Sequence, residues 1–281
     1  QINILRKAAK TDRDRAEMIS ANEDSREKRS MVVQAITKHA NQIIGIRLIP
    51  VGGGRVAWWE AGSHITLHLQ NGQERQYSLC GDSADRTGYE IAVLDTAGEG
   101  GGSTWIHKNL KAGSVVTVSG PRNHFQLIPA HSYLFIAGGI GITPIRAMIE
   151  SLPASRDWRL IYLGRNRNHM AFADELQSLY GNRVVIHDSS VSGRFDIENL
   201  LNDSKADVYA CGPESLLAEI EAKTDPSRCH LERFNPVERE VPGGAKPVIV
   251  KLASSGRSVK VSAEESITHA LKKSGVSVEE S

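Results

Sequence analysis

Cysteine and net charge are both scarce in this sequence, and each shortage excludes a class of protein. Of the 281 residues only Cys80, Cys211 and Cys229 are cysteines. Their odd number and wide separation fit neither a disulfide framework nor a zinc site. Lys and Arg number 34 against 33 Asp and Glu, so no excess of positive charge attracts nucleic acid. We therefore expect no nucleic-acid partner.

Long apolar runs are also missing. No run approaches the ~20 residues needed to span a bilayer, and the segment Gln1 to Lys10 is not a charged and then apolar signal peptide. The sequence thus predicts a cytoplasmic protein with no membrane partner. With 40% hydrophobic residues in 281, the chain can form two or three domain-sized cores.

The first thirty residues are charged and poor in aromatics, and they begin with Gln1 in place of a methionine. We interpret residues 1–30 as a linker or as the end of an upstream segment, which favours a fragment of a longer protein such as a fusion. A cloning remnant or a frayed terminus is the alternative.

From Met31 the chain changes to short β-rich runs separated by Gly and Asn turns. This spacing predicts a small antiparallel Greek-key β-barrel over residues 31–129. One helix is expected at Thr104 to Leu110. The expected strands are 31–36, 43–49, 64–69, 73–78, 89–94 and 114–119.

After Pro129 strands alternate with helices, which predicts a Rossmann-like parallel α/β domain over residues 130–234. The expected strands are 133–137, 159–163, 184–187 and 207–210, and the expected helices are 144–152, 171–180, 197–201 and 214–222. Residues 235–247 are rich in Pro and Gly and indicate a linker. Beyond it, 248–253 and 258–262 predict a hairpin and 266–274 a helix. This last segment, 248–281, is too short to form a complete domain.

Two glycine-rich turns precede predicted helices. Gly138-Gly139-Ile140-Gly141-Ile142-Thr143-Pro144 follows a strand, so its glycines let the backbone approach a phosphate at a helix N-terminus. Gly100-Gly101-Gly102-Ser103-Thr104 is a second such turn. Either turn alone is equally compatible with an ordinary surface loop.

Two further short motifs carry chemically useful side chains. Arg75-Gln76-Tyr77-Ser78-Leu79 ends a barrel strand and offers a guanidinium for phosphate, a ring for stacking and a hydroxyl for hydrogen bonding. Cys211-Gly212-Pro213 follows an apolar strand, at the carboxyl edge where parallel sheets bind ligands. A buried structural cysteine is the alternative there.

The order of these motifs is more specific than any one of them. Arg-x-Tyr-Ser-Leu, Gly-Gly-Ser, Gly-Gly-Ile-Gly-Ile-Thr-Pro, Tyr-Leu-Gly-Arg, Cys-Gly-Pro and His-x-Glu-x-Phe follow one another. In this order the chain resembles the phthalate dioxygenase reductase branch of the ferredoxin-NADP reductase superfamily, from about Met31 to Ser281. The resemblance implies an enzyme that takes hydride from NADH onto FMN and passes electrons singly to an iron–sulfur centre. The implied acceptor is a terminal oxygenase or another redox enzyme, either separate from this chain or fused to it.

The resemblance also implies roles for individual residues. Ser78, Thr143 and Cys211 would lie at the reacting centre. FMN would be bound by Arg75, Tyr77, Ser78, Leu79, Gly101, Gly102, Ser103, Thr104 and Phe234. The pyridine nucleotide would be bound by Gly138, Gly139, Gly141, Thr143, Arg165, Asn166, Cys211, Gly212 and Pro213. FMN is implied over FAD, because no site for the adenylate part of FAD is evident.

The chain departs from the family at its C-terminal end. The segment from Lys246 resembles the start of a plant-type, β-grasp ferredoxin domain, but it contains no cluster cysteines. A [2Fe–2S] cluster needs four ligands, so we expect no metal here and a cluster only in a longer form of the protein. Nucleotide choice stays open: the family favours NADH, but Arg165-Asn166-Arg167 lacks the usual acid, which leaves NADPH possible.

Two other classes of function stay open as well. A non-catalytic dinucleotide-binding module would keep the nucleotide glycines, but it would not need Arg75, Tyr77, Ser78 and Phe234. The same reductase core also occurs joined to a catalytic domain, as in haem-linked nitric oxide detoxifiers and reductive dehalogenases.

Overall fold

The computed structural model describes residues 27–96, 101–202, 204–234, 246–253, 255–263 and 265–276. The chain divides into two compact units, residues 1–234 and 235–281. Most of the expected N-terminal extension, 1–30, and of the expected linker, 235–247, lies outside the described residues, as do Gly100 and residues 277–281.

The first part of the larger unit is a curled antiparallel sheet of six strands in the order β4-β3-β6-β1-β2-β5. Leu79, just after β4, forms a bridge with Ile91 of β5, so the two edges of the sheet meet. Helix α1, Gly102–Asn109, lies between β5 and β6. The strands are β1 Arg29–Ala40, β2 Ile43–Pro50, β3 Ser63–His68, β4 Glu74–Ser78, β5 Tyr89–Leu94 and β6 Val115–Asn123.

Alternating apolar residues explain why this sheet curls around a core. Ile65 and Leu67 of β3, Ile46 and Leu48 of β2 and Ile91 of β5 are all fully buried. Side chains two apart on a strand point to the same face, so each strand contributes one apolar row to the interior. The predicted barrel is thus confirmed.

The second part is a parallel sheet of five strands in the order β11-β10-β7-β8-β9. The strands are β7 Ser132–Gly138, β8 Asp157–Gly164, β9 Val184–Asp188, β10 Asp207–Cys211 and β11 Cys229–Glu232. The helices are α2 Ile142–Ser151, α3 Ala173–Tyr180, α4 Ser189–Ser192, α5 Ile197–Asn202 and α6 Glu214–Lys223. Strand order reverses between β7 and β10, and ligands bind to such sheets at the carboxyl edge beside the reversal.

The two faces of β7 belong to different cores. Tyr133 and Phe135 lie in a cluster continuous with the barrel interior, whereas Leu134 and Ile136 pack with Leu217 of α6 on the other face. The connection from the barrel is held by a tyrosine: the hydroxyl of Tyr209 accepts a hydrogen bond from the Ile128 amide at 2.8 Å. Barrel and parallel sheet therefore share a core within one compact unit.

Arg146 of α2 forms a second link between the two parts. Its guanidinium donates to the Cys80 carbonyl at 3.0 Å and lies 3.8 Å from the Glu90 carboxylate, both in the barrel. It also pairs with Glu150 at 3.0 Å and Glu175 at 3.1 Å. The charged group is only 12% exposed, so burial raises the strength of these pairings.

The smaller unit contains a hairpin and one helix among its described residues. Strands β12, Val248–Lys251, and β13, Ser258–Val261, pair antiparallel, and helix α7, Ile267–Lys273, follows. Val259 and Leu271 belong to a small buried cluster that joins the hairpin to the helix. The hairpin and the helix lie within their predicted bounds, whereas their assignment to an incomplete ferredoxin-like domain stays a prediction.

Two elements of the larger unit were not predicted, strand β11 and the short helix α4.

Among the described residues, no helix is both long enough and apolar enough to cross a membrane.

Candidate functional site

Arg75 of β4 lies against the N-terminus of helix α1. A Cβ atom added to Gly102 would lie 2.6 Å from Cγ and 2.7 Å from Nε of Arg75, so only glycine allows this approach. No side chain caps the first turn of α1 at Gly101, and its free N–H groups suit an anion. An exposed guanidinium and an uncapped helix start thus lie side by side, as a phosphate site requires.

The hydroxyls of Ser103 and Thr104 have protein partners of their own. Thr104 donates to the Asp95 carboxylate at 2.6 Å, and Ser103 lies 3.1 Å from the Thr96 hydroxyl. These bonds hold the start of α1 to the end of β5. The backbone of this turn, more than its hydroxyls, is therefore the part available to a phosphate.

The end of β4 carries a ring and a hydroxyl. Tyr77 is half-buried against the barrel core, and burial raises its pKa to about 12, so the phenol stays neutral. Leu79 is fully buried and anchors the strand through its bridge to Ile91. Ser78, between them, is also buried.

Ser78 meets the parallel sheet. Its hydroxyl donates to Oε2 of Glu232, the last residue of β11, at 3.5 Å. Glu232 pairs in register with Cys211 on β10, so a hydroxyl, a carboxyl group and a thiol lie together where barrel and sheet meet. Burial raises the pKa of Glu232, and the hydrogen bond from Ser78 lowers it. Burial has the larger effect, so the pKa is about 7. Burial, with Glu232 nearby, also raises the pKa of the Cys211 thiol well above its usual value.

The glycine turn after β7 packs closely on the end of β10. A Cβ atom at Gly141 would lie 2.1 Å from the Cys211 carbonyl oxygen, so this position requires glycine. Thr143 is buried, and its hydroxyl donates to the Ile140 carbonyl at 3.1 Å. The turn therefore brings the start of α2 against the strand that carries Cys211.

A cleft of about 750 Å3 lies at the carboxyl edge of the parallel sheet. The lining includes five of the residues that the resemblance implies for the nucleotide, Gly138, Gly139, Arg165, Asn166 and Pro213. Gly141, Thr143, Cys211 and Gly212 are not part of this lining. Of these four, Cys211 and Thr143 are at most 2% exposed.

The segment after β8 presents one arginine to the cleft and turns another away. Arg165 lines the cleft and is exposed. Arg167 donates to Gln177 at 3.1 Å and pairs with Asp174 at 2.5 Å, both on α3. Asn166 accepts a hydrogen bond from the Asn168 amide at 2.9 Å, which fixes the turn between them.

Phe234, which follows β11, is 45% exposed. An exposed aromatic ring two residues from Glu232 is available to stack on a planar ligand. That role stays a prediction.

Sequence reasoning did not single out Glu232, although it lies in the quoted His230-Leu231-Glu232-Arg233-Phe234 motif. The available signal was its carboxylate, which is the one acidic group in that motif. His187 and Arg194, which also line the cleft, were missed as well, because nothing in the local sequence marks them as binding residues.

Comparisons with known proteins follow the same division of the chain. Residues 135–222 match the model of the oxidoreductase NAD-binding domain. Phenoxybenzoate dioxygenase subunit beta of Ectopseudomonas oleovorans is 36% identical over 257 residues, which cover 89% of this chain and 80% of that protein. Phthalate dioxygenase reductase of Burkholderia cepacia is 37% identical over 253 residues, 86% of this chain and 78% of that protein.

The chain belongs to the phthalate dioxygenase reductase family. Members of this family are oxidoreductases, and the relatives act as reductase components that move electrons from NAD(P)H through a flavin to oxygenases.

Two solved structures share this fold. A phthalate dioxygenase reductase, described as a modular structure for electron transfer from pyridine nucleotides to [2Fe-2S], covers 92% of this chain and 84% of its own, with 34% identity and a TM-score of 0.74. An intact type IV self-sufficient cytochrome P450 monooxygenase covers 90% of this chain, with 38% identity and a TM-score of 0.83. This chain spans only 34% of that P450 chain.

The cofactors of phthalate dioxygenase reductase are FMN, NADH and a [2Fe–2S] cluster, and the residues of this chain fit FMN and a pyridine nucleotide. Gly102 leaves room for Arg75 beside an uncapped helix, as the FMN phosphate requires. The cluster does not fit: it needs four thiolates or their equivalent, and the chain has three cysteines. Within the described residues there is also no group of three His, Cys, Asp or Glu able to hold a metal ion.

Proposed function

We propose that this chain is an NAD(P)H-dependent FMN reductase that supplies electrons to an oxygenase or another redox enzyme. The contact between Ser78 and Glu232 carries the proposal. It brings the end of the flavin strand β4 to the carboxyl edge of the nucleotide sheet. The two cofactor sites thereby meet at one point.

Each proposed role follows from a position in the structure. Arg75 and the backbone at Gly101 and Gly102 bind the FMN phosphate, and Tyr77 packs along the flavin. The cleft at Gly138 and Gly139 binds the nucleotide phosphates at the start of α2.

Ser78, Glu232 and Cys211 position the reacting groups and exclude water between the two sites. FMN, when bound, supplies the conversion from a two-electron donor to one-electron acceptors. Because partial burial raises the pKa of Glu232 to about 7, its carboxyl group is able to hold a proton beside the Ser78 hydroxyl near neutral pH. Thr143 helps to fix the glycine turn at the start of α2, because its hydroxyl donates a hydrogen bond to the Ile140 carbonyl.

A flavin assay tests the proposal. Purified protein is expected to be yellow, and mixing with NADH or NADPH in a stopped-flow instrument should bleach the flavin absorbance. Heat-released flavin should run as FMN on chromatography. Colourless protein that still binds nucleotide would instead indicate a non-catalytic dinucleotide-binding module, and release of FAD would contradict the FMN assignment.

Two relatives favour a terminal oxygenase as the acceptor, since one is named a phenoxybenzoate dioxygenase subunit and the other a phthalate dioxygenase reductase. A second candidate is a module of a larger single-chain enzyme. It is supported by the P450 monooxygenase chain, which contains this fold as a third of its length.

A further inference from the structure

The segment after β8 lies where a nucleotide-binding sheet meets the ribose. In such sheets the pyrophosphate lies at the first glycine turn, and an acid after the second strand hydrogen-bonds the ribose 2′-hydroxyl of NAD. Here the first strand is β7 and the second is β8. The ribose position therefore falls at Arg165 and Asn166, both of which line the cleft.

This position has no carboxylate available for ribose hydroxyls. Asn166 stands there, and its side-chain oxygen is bound to the Asn168 amide. Asp188, at the end of the next strand, does not line the cleft. Its two oxygens accept from the Arg167 amide at 2.9 Å and from the Ser190 amide and hydroxyl at 2.9 and 2.6 Å.

The charge that the cleft does present is positive. Its lining contains Arg165, Arg194 and one acid, Glu219. Arg194 pairs with Glu219 at 2.6 Å, so these two charges largely cancel. The Arg165 side chain has no hydrogen-bond or ion-pair partner within the described part of the chain. One uncompensated guanidinium thus remains at the ribose end.

We propose that Arg165 binds the 2′-phosphate of NADPH, so that the chain uses NADPH in preference to NADH. A guanidinium binds phosphate through two parallel charge-assisted hydrogen bonds, and the absence of a free carboxylate removes the repulsion that a 2′-phosphate meets in NADH-specific sites. The inference rests on the proposed function, because it names the nucleotide taken by the same site.

Nucleotide fragments test the inference without the flavin reaction. Titration calorimetry of the purified protein should show 2′,5′-ADP binding more tightly than 5′-AMP by about tenfold or more. The difference should shrink as salt is raised, because the contact is between charges near solvent. Equal or weaker binding of 2′,5′-ADP would overturn the proposal.

Two neighbouring arginines provide a matched pair of variants. Arg165→Gln should remove most of the preference for 2′,5′-ADP. Arg167→Gln should keep it, since that side chain is turned to Asp174 and Gln177. Equal loss in both variants would show a general charge effect and would contradict a contact specific to Arg165.

Asn166→Asp tests the same preference by adding a carboxylate. An aspartate keeps the side-chain oxygen that the Asn168 amide needs, so the turn should be preserved while a carboxylate enters the ribose position. Flavin bleaching should then shift from NADPH towards NADH in kcat/KM. A wild-type preference for NADH would refute the inference while leaving the proposed function intact. No bleaching by either nucleotide would refute the proposed function, and the fragment titrations would still decide the inference.

Discussion

At the scale of single residues, the most unusual group in the site is the Glu232 carboxyl. It is partly buried, with one hydrogen bond, from Ser78, and this burial raises its pKa from 4.5 to about 7. A raised pKa means that the folded protein holds this proton more tightly than the unfolded chain. Stability from this group is therefore complete below about pH 4.5 and is lost as pH rises to about 7.

Glu232→Gln should remove this dependence. Over that pH range the wild type is expected to lose roughly 3 kcal/mol relative to the variant, at 1.36 kcal/mol per pKa unit. Urea denaturation at pH 5 and pH 8 measures the difference. Glu150, whose pKa is also raised, titrates in both proteins, so its contribution cancels when their stabilities are compared. Parallel stability curves for the two proteins would contradict a partly buried, titrating Glu232.

Arg75→Ala should weaken FMN binding. Loss of a charge-assisted phosphate contact should cost roughly 2 kcal/mol, or about thirtyfold in affinity. Fluorescence titration of flavin-stripped protein with FMN measures it. Gln76→Ala, on the same strand, is the control and should bind FMN as the wild type does. Unchanged affinity in Arg75→Ala would place the phosphate elsewhere.

At the scale of elements, most strands and helices could be predicted because their apolar periodicity is strong. Strand β7 is a continuous apolar run between polar ends and was expected at nearly its observed bounds. Strand β11 was missed, because its four residues are only partly buried and so carry no clear pattern. That strand places Glu232, and a contact between Ser78 and a residue 154 positions away leaves no local trace in the sequence.

The first turn of α1 shows a similar limit. Its glycines and hydroxyls resemble a phosphate cradle in sequence, yet Ser103 and Thr104 bind residues at the end of β5. Sequence alone cannot tell which of the polar groups in a turn face a ligand and which hold the turn together.

Gly102→Ala tests the packing of α1. Alanine favours a helix by up to about 1 kcal/mol over glycine, but its Cβ would lie 2.6 Å from the Arg75 side chain. We expect a protein that is folded and binds FMN more weakly, measured by the same fluorescence titration. Adding Gly102→Ala to Arg75→Ala should cause little further loss of FMN affinity, because the Arg75 side chain that the new Cβ would meet is already removed. Additive losses would show that Gly102 acts independently of Arg75.

At the scale of the whole molecule, this chain has the flavin and nucleotide domains of an electron-transfer reductase. It lacks four ligands for the [2Fe–2S] cluster that would pass electrons on. Flavin reduction by nicotinamide should be fast, and ferricyanide should take electrons from the flavin directly. Cytochrome c, which generally requires a one-electron centre at the surface, should be reduced slowly. Iron and sulfide analysis with the two acceptor rates checks this. Stoichiometric iron, or equal rates, would contradict it.

The buried Arg146 cluster limits how far the larger unit can be treated as two separable parts. A chain cut at Pro129 would leave the guanidinium of α2 without the Cys80 carbonyl and Glu90, and would leave the barrel without the α2 side chains that share its core. Removing the partners of a buried charge is strongly destabilising. Calorimetry should accordingly show barrel and nucleotide sheet melting in one cooperative transition. Exchanging either half with that of another reductase should succeed only if Arg146 and its acidic partners are exchanged together.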